Sequence, residues 1–569
     1  MIKKFRQKKS TVSSYLKFFD NWFNLLSFSF LFYIVLIFIA TILESVSILS
    51  LIPLIQSIQS VTPDSDQLNS VNLYLLRVKQ SLGFGTIELI ILFFSLQILK
   101  IFITHFGEVL LFTKTHNIHQ NIQQKIIDSV VNMSWISFLG TSTGKINNLV
   151  SQDTPRAASI FKMICQCINY SIFISIYFIG MIVISLKATA LIVIFSIISF
   201  AALRFFGKKT YASGKNITKS SKRYLDLITD IFLQMKPLKT SNFTNFLQEK
   251  INSEIINHRN AYLLKNYMAT GISFFQNFIL IILFGSILVF FFYKGDTYVA
   301  ESLVFVIIAY RLSQQMMIFQ QCINNVIANI PSISQIQKFL SDSNITKESS
   351  HFGKLKSNFK KILFNDVSCR MGQNIILKNI NLEIKKNTFI AFVGKSGVGK
   401  STLIDMIMGL VIPSNGNIFV NENNLNQLDI SHWRSQIAYV PQEHFLLKDS
   451  IKNNIILNQR YNHFKFNQIM DLLDLKDLDP DFEVSEKGST LSVGQKQRLS
   501  IARALYSNRK IIILDEPTSN LNSLLERKIL NFFKREQESK TIIMVTHNKS
   551  VIKYAKVVYK VMGNGIRKI

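Results

Sequence analysis

Six apolar segments, near 25–56, 85–112, 160–185, 188–206, 272–293 and 299–322, constrain this chain more than any other feature. Each is long enough to cross a bilayer core of about 30 Å. A tight link around Leu186–Lys187 joins the third and fourth segments, and Phe292–Asp296 joins the fifth and sixth. Long polar stretches, 113–159 and 207–271, separate the others and carry many basic residues, among them Lys145, Arg156, Lys222 and Lys250. Basic connections stay on the cytoplasmic side, so the short links face outward and an even number of crossings leaves both ends inside. The net charge of +29 is then a consequence of topology, and nucleic acid is not an expected partner. The basic N-terminal residues Lys3, Lys4, Arg6, Lys8 and Lys9 precede an apolar run too long for a signal peptide, which reads as a retained first span. Cys165, Cys167, Cys322 and Cys369 form no zinc pattern and read as reduced packing residues.

After the sixth segment the chain changes character. A breaker-rich linker is expected over 341–360, following a membrane domain over 1–340. From residue 361 to 569, short β-branched runs alternate with helical patterns, the mark of an α/β domain on a largely parallel sheet. The string Gly394-Lys395-Ser396-Gly397-Val398-Gly399-Lys400-Ser401-Thr402 fits G-x-x-x-x-G-K-S/T and follows the apolar run Phe389–Val393. Its glycines let backbone N–H groups curl around a triphosphate, and the helix beyond points its positive end at the same anion. Lys400 would reach the β- and γ-phosphates and Ser401 would ligate Mg²⁺.

Two further apolar runs end in polar groups. Lys510–Glu516 reads as a buried strand delivering Asp515 to Mg²⁺ and Glu516 to the attacking water. Thr541–Thr546 delivers His547 to the same edge, where it could contact the γ-phosphate.

Leu491-Ser492-Val493-Gly494-Gln495 resembles the L-S-G-G-Q signature of ATP-binding cassette (ABC) proteins. Gln442 in Ala438–Gln442 is similar to the family's Q-loop, and Ser485-Glu486-Lys487-Gly488 to the X-loop of its exporters. Six spans fused ahead of the cassette resemble a type I exporter half-transporter (type IV fold). The expected fold class is therefore an α-helical six-span membrane domain followed by an α/β P-loop NTPase (ABC) domain. The resemblance implies that two cassettes sandwich two ATP molecules head to tail. Ser492, Gly494 and Gln495 of one copy would complete the site built by Gly394–Thr402 of the other, with Gln442 near Mg²⁺. A homodimer is the default. Three positions depart from the family pattern: Met371 stands where an aromatic residue stacks on adenine, Asn522 where the D-loop ends in Asp, and Val493 where glycine is usual.

Ionisable residues inside a bilayer are costly, so Glu44 in the first span and Arg311 in the sixth are candidate cargo residues, with Gln314 beside Arg311. An ion pair within the helix bundle is the alternative role. The stretch Ile42–Pro53 and the string Tyr310-Arg311-Leu312 resemble the membrane domain of lipid-linked oligosaccharide flippases. The expected activity is ATP hydrolysis driving export or flipping of an amphipathic cargo, a lipid-linked glycan or a peptide, across the plasma (inner) membrane, in contact with membrane lipid. With no protease-like domain ahead of the first span, a peptide-processing exporter is not expected. The alternatives are an ATP-gated channel, a regulatory member, or one half of a heterodimer.

Overall fold

A computed structural model describes residues 28–51, 54, 85–233, 235–241, 243–292, 299–345, 348, 359–485, 490–562 and 565–569. The expected X-loop residues Glu486–Gly488, the expected outward link Tyr293–Asp296, Pro53 and the basic N-terminal residues lie outside them. The chain divides into two units: residues up to Met133 with Ser137–Thr346, and Lys347–Ile569 with Ser134–Ile136.

The first unit is helical: α1 (Phe28–Leu49), α2 (Thr86–Val131), α3 (Trp135–Leu139), α4 (Thr143–Asn148), α5 (Thr154–Ile184), α6 (Leu186–Leu233), α7 (Met235–Thr240), α8 (Thr244–Phe292) and α9 (Val299–Ile345). Among the described residues, five helices are long and apolar enough to cross a membrane. They overlap the first, second, third, fifth and sixth expected spans. The fourth, 188–206, lies within the continuous helix α6, much of whose side-chain detail there is outside the described set. At about 1.5 Å per residue, the 46 residues of α2 and the 49 of α8 run roughly 70 Å, twice a bilayer core. Span and polar connection are thus one rod. Ser185, in an extended conformation (φ −157°, ψ 107°), separates α5 from α6 and makes the expected tight link.

Two apolar clusters hold this unit. Phe30, Tyr33 and Ile37 of α1 meet Ile118, Ile122 and Ile126 of α2, Phe161 of α5, and Ile333 and Phe339 of α9. Phe173, Tyr177 and Met181 of α5 meet Phe305, Ile308 and Leu312 of α9. Between α4 and α5, a π-helical turn over Leu149–Asp153 buries Asp153, whose carboxylate accepts from Asn148 Nδ2 (2.8 Å) and Ser332 Oγ (3.0 Å). Cys165, Cys167, Cys322 and Cys369 are free thiols, and three of them are buried, in keeping with packing roles. Helix α9 continues through Ile345, so the first residues of the expected linker are helical.

The second unit carries β1 (Lys361–Met371), β2 (Asn374–Lys385), β3 (Phe389–Val393), α10 (Lys400–Ile407), β4 (Asn415–Val420), β5 (Asn423–Asn424), α11 (Ile430–Arg434) and β6 (Ile437–Val440). It continues through α12 (Ile451–Ile456), α13 (His463–Leu472), α14 (Val493–Tyr506), β7 (Ile511–Asp515), α15 (Ser523–Glu536), β8 (Thr541–Thr546), β9 (Val557–Met562) and β10 (Gly565–Lys568). An antiparallel sheet runs β2-β1-β4-β5; a six-stranded sheet runs β10-β9-β3-β8-β7-β6, parallel except for β10. Strands β7 and β8 are buried at every residue, as continuous Ile/Val/Leu runs require when both faces are covered. One cluster packs Phe389, Ile512 and Met544 against α14 and α15. The other packs Ile390, Ile513 and Ile543 against α10 and the small sheet. Trp433, fully buried, pins that second layer by donating its indole N–H to the Ile407 carbonyl at 2.8 Å.

Candidate functional site

The parallel strands β3, β8, β7 and β6 lie side by side and end at one edge, where open α/β sheets place their ligands. The P-loop leaves β3. Gly397 (φ +79°) and Gly399 (φ +98°) occupy left-handed backbone conformations that L side chains rarely adopt. A Cβ at Gly399 would also come 2.9 Å from Leu377 Cδ2, whose methyl would have to shift to admit it. Lys395, Ser396 and Gly397 are exposed, while Val398 packs against the core. Lys400 opens α10 and donates its ammonium to the carbonyls of Gly394 (2.9 Å) and Lys395 (2.8 Å), closing the loop on its own cation. Thr402 is half-buried one residue past Ser401.

Ser401 Oγ and Asp515 Oδ2 lie 3.5 Å apart. Burial first, then the neighbouring Glu516 carboxylate, push the Asp515 carboxyl above its ordinary range, against the opposing pull of Lys400 and Ser401. Asp405, one helical turn beyond Ser401, is pushed up to about 6 by burial and then by Asp515. Tyr439 is raised by burial and by the same two carboxylates. A negative, part-desolvated patch with a hydroxyl and a carboxylate in reach suits a hard oxygen-seeking cation such as Mg²⁺. Among the described residues no group of three or more His, Cys, Asp or Glu side chains is placed to hold a metal ion on its own.

Glu516 follows β7 at φ +50°, an uncommon backbone position for a side chain, held by its N–H donating to Val545 O at 2.9 Å and by Gln497 Nε2 donating to its carbonyl at 3.2 Å. Two side chains converge on its carboxylate: His547 Nδ1 at 3.1 Å from Oε1, and Gln442 Nε2 at 3.5 Å from Oε2. An ionised carboxylate only accepts, so Nδ1 carries the proton in this contact. His547 can then donate from Nε2 to a phosphate only as the imidazolium, or after releasing Glu516.

The sequence-derived residues therefore separate into two groups. Lys400, Ser401, Gln442, Asp515, Glu516 and His547 gather at one sheet edge. Ser492, Gly494 and Gln495 sit at the start of α14, where Ser492 and Gln495 form a reciprocal capping box, Ser492 N–H to Gln495 Oε1 (2.8 Å) and Gln495 N–H to Ser492 Oγ (3.2 Å). Val493 is exposed at 59%, so its side chain crowds nothing within its own chain. Met371 ends β1 beside a turn at Gly372 and is part exposed, leaving its thioether free to meet a flat ligand. Asn522 caps α15 by accepting from Leu525 N–H at 2.8 Å, a role that Asp would fill equally well.

Residues 30–321 match the family described as "ABC transporter transmembrane region", and 377–519 the family described as "ABC transporter". The chain belongs to the ABC transporter family. A "Putative export ATP-binding/permease protein" of Rickettsia typhi is 37% identical over 187 residues, 32% of this chain and 32% of that relative. A protein of the same description from Rickettsia bellii is 26% identical over 437 residues, 72% of this chain and 74% of its own. The likeness to the first thus spans about a third of its length. A solved bacterial Atm1-family ABC exporter with ATP bound shares the fold at TM-score 0.78 and 17% identity, covering 94% of each chain.

In the membrane unit of this ABC chain, Glu44 is 1% exposed, and Lys100 Nζ of α2 lies 2.7 Å from its Oε2. Arg311 of α9, 50% exposed, approaches its Oε1 at 3.8 Å. Glu44 and Arg311 are thus brought together, with Gln314 one turn from Arg311 and half-buried. Lys100 escapes the sequence reading, although the rule that singles out Glu44 applies equally to a lysine inside Ile98–Ile101. Ser47 and Gln97 continue the polar network, Gln97 Nε2 donating to Ser47 Oγ at 3.0 Å.

Proposed function

We propose that this chain is an ATP-driven exporter or flippase that works as a homodimer in the plasma membrane of a prokaryote, with its cassette in the cytoplasm. The observation that carries the reading is the convergence of His547 and Gln442 on Glu516, beside the Ser401–Asp515 pair. The relatives' printed descriptions, export proteins and an exporter, support the direction of transport.

Lys400 would exchange its two loop carbonyls for the β- and γ-phosphates, a swap of like acceptors for charged ones. Mg²⁺ held through Ser401, Asp515 and Gln442 would neutralise phosphate charge. Glu516 would orient the attacking water and take its proton, with Gln442 and His547 fixing the carboxylate's direction. Because the capping box consumes the N–H groups of Ser492 and Gln495 together with the side-chain oxygens that accept them, the N–H groups of Val493 and Gly494 would be the anion contact offered to a second copy. Met371 would pack against the base. A catalytic carboxylate supported from two sides favours hydrolysis over an ATP-held gate or a regulatory role. The cargo is an amphipathic molecule, a lipid-linked glycan or a peptide, and Glu44, Arg311 and Gln314 are its candidate contacts.

Inside-out vesicles containing only this chain test the reading. ATP added outside should drive an amphipathic cargo into the lumen or the inner leaflet. Folded, ATP-hydrolysing chain that moves neither cargo class would overturn it.

A further inference from the structure

We infer that Glu44, Lys100 and Arg311 form a binding site for an anionic group, and that the transported amphiphile carries a phosphate or a carboxylate at its polar end. This rests on the export reading of the membrane unit and names the chemistry of its cargo. Three helices, α1, α2 and α9, each contribute one charge from within a candidate span. Two cations face one anion, so the cluster keeps one positive charge in surplus.

The distances say which cation is spare. Lys100 Nζ sits 2.7 Å from Glu44 Oε2, a close ion-pair contact, though that oxygen makes no hydrogen bond among the described residues. Arg311 stands 3.8 Å away, beyond hydrogen-bond reach, so its planar fork of N–H donors is not spent on Glu44. Burial agrees: Glu44 is 1% exposed and Lys100 19%, but Arg311 is 50% exposed. A guanidinium half open within a span cannot face hydrocarbon cheaply. On the export reading it would face the polar translocation pathway instead. Gln314 and Gln315, three and four residues further along α9, share that face, and the Gln315 Oε1 atom is buried with no hydrogen-bond partner among the described residues. Arg311 therefore supplies the bidentate contact to the anion, Lys100 cancels the Glu44 charge, and Glu44 fixes Lys100.

Charge arithmetic makes the test sharp. Binding of single-chain amphiphiles with one alkyl tail and a phosphate, a carboxylate or a neutral hydroxyl head is measured on the full chain in zwitterionic vesicles, without nucleotide. The wild-type chain should bind the charged heads at least tenfold more tightly than the neutral one. Arg311→Gln should abolish that preference. Lys100→Met should also abolish it, because Glu44 then neutralises Arg311. Glu44→Gln should keep or strengthen it, and the double variant Glu44→Gln/Lys100→Met should restore it to within about threefold. Should Lys100→Met fail to fold, Arg311→Gln on the double-variant background, which buries no unpaired carboxylate, gives the same readout. A phosphate preference identifies a lipid phosphate as the source, and a carboxylate preference a peptide. Equal binding of charged and neutral heads overturns the proposal, as does equal loss in all three single variants, the signature of a purely structural ion pair. Loss of ATP hydrolysis is scored separately and bears only on the export reading.

Discussion

In the nucleotide domain, Gln442, Glu516 and His547 each stand just beyond the end of a parallel strand, while in the membrane unit Glu44, Lys100 and Arg311 come from the interiors of three helices. The sheet positions its residues through a continuous ladder of backbone hydrogen bonds, so strand register fixes where each side chain emerges. The helices position theirs only through side-chain packing and the charges themselves. A rigid scaffold suits chemistry that needs one geometry. A site assembled from separate helices can open and close as they move.

The largest effect should fall on the rigid side. Glu516→Gln should retain ATP binding and lose roughly 10²–10⁴-fold of hydrolysis, read by steady-state phosphate release and by nucleotide trapped in the purified chain. Wild-type-like turnover would remove Glu516 as the base and break the contrast. Next comes packing: Trp433→Ala deletes a fully buried ring and its hydrogen bond, and should cost about 3–5 kcal/mol by denaturant unfolding.

Proton linkage gives a smaller effect. Asp405 has a folded pKa of about 6 against an ordinary value of 3.8, raised by burial and Asp515. The folded chain thus holds more protons than the unfolded one across that interval, and stability falls as pH climbs through it. In the nucleotide-free chain at pH 7.5, Asp405→Asn should raise the thermal midpoint by roughly 1–3 °C, a gain that shrinks as the pH is lowered toward 5. A constant gain across that range would assign the effect to packing. The smallest change is Ser492→Ala, which removes one half of the capping box and should cost about 1 kcal/mol.

The two regions also differ in what their sequence discloses. Lys400, Asp515, Glu516 and His547 are legible because each is tied to a strand end within a few residues, and strand ends are readable from apolar runs. Asp405 carries a weaker signal, its one-turn spacing from Ser401, and needs the folded sheet to bring Asp515 beside it. An ion pair of Glu44 with Arg311 is one of the two roles the sequence offers, and the structure brings the two together; the closer partner Lys100 is missed, since nothing local encodes which faces of three helices meet. Even so, the rule about charges in apolar segments applies to all three. Asn522 keeps both readings: the charge of the usual Asp is absent, and its amide oxygen caps a helix, as the Asp carboxylate also could.

ATP hydrolysis by this chain purified alone into vesicles, with and without an amphipathic extract, tests the central claim most directly. The account predicts Mg²⁺-dependent hydrolysis that rises with cargo and disappears in Glu516→Gln. A folded, ATP-binding chain that hydrolyses nothing under either condition would contradict it.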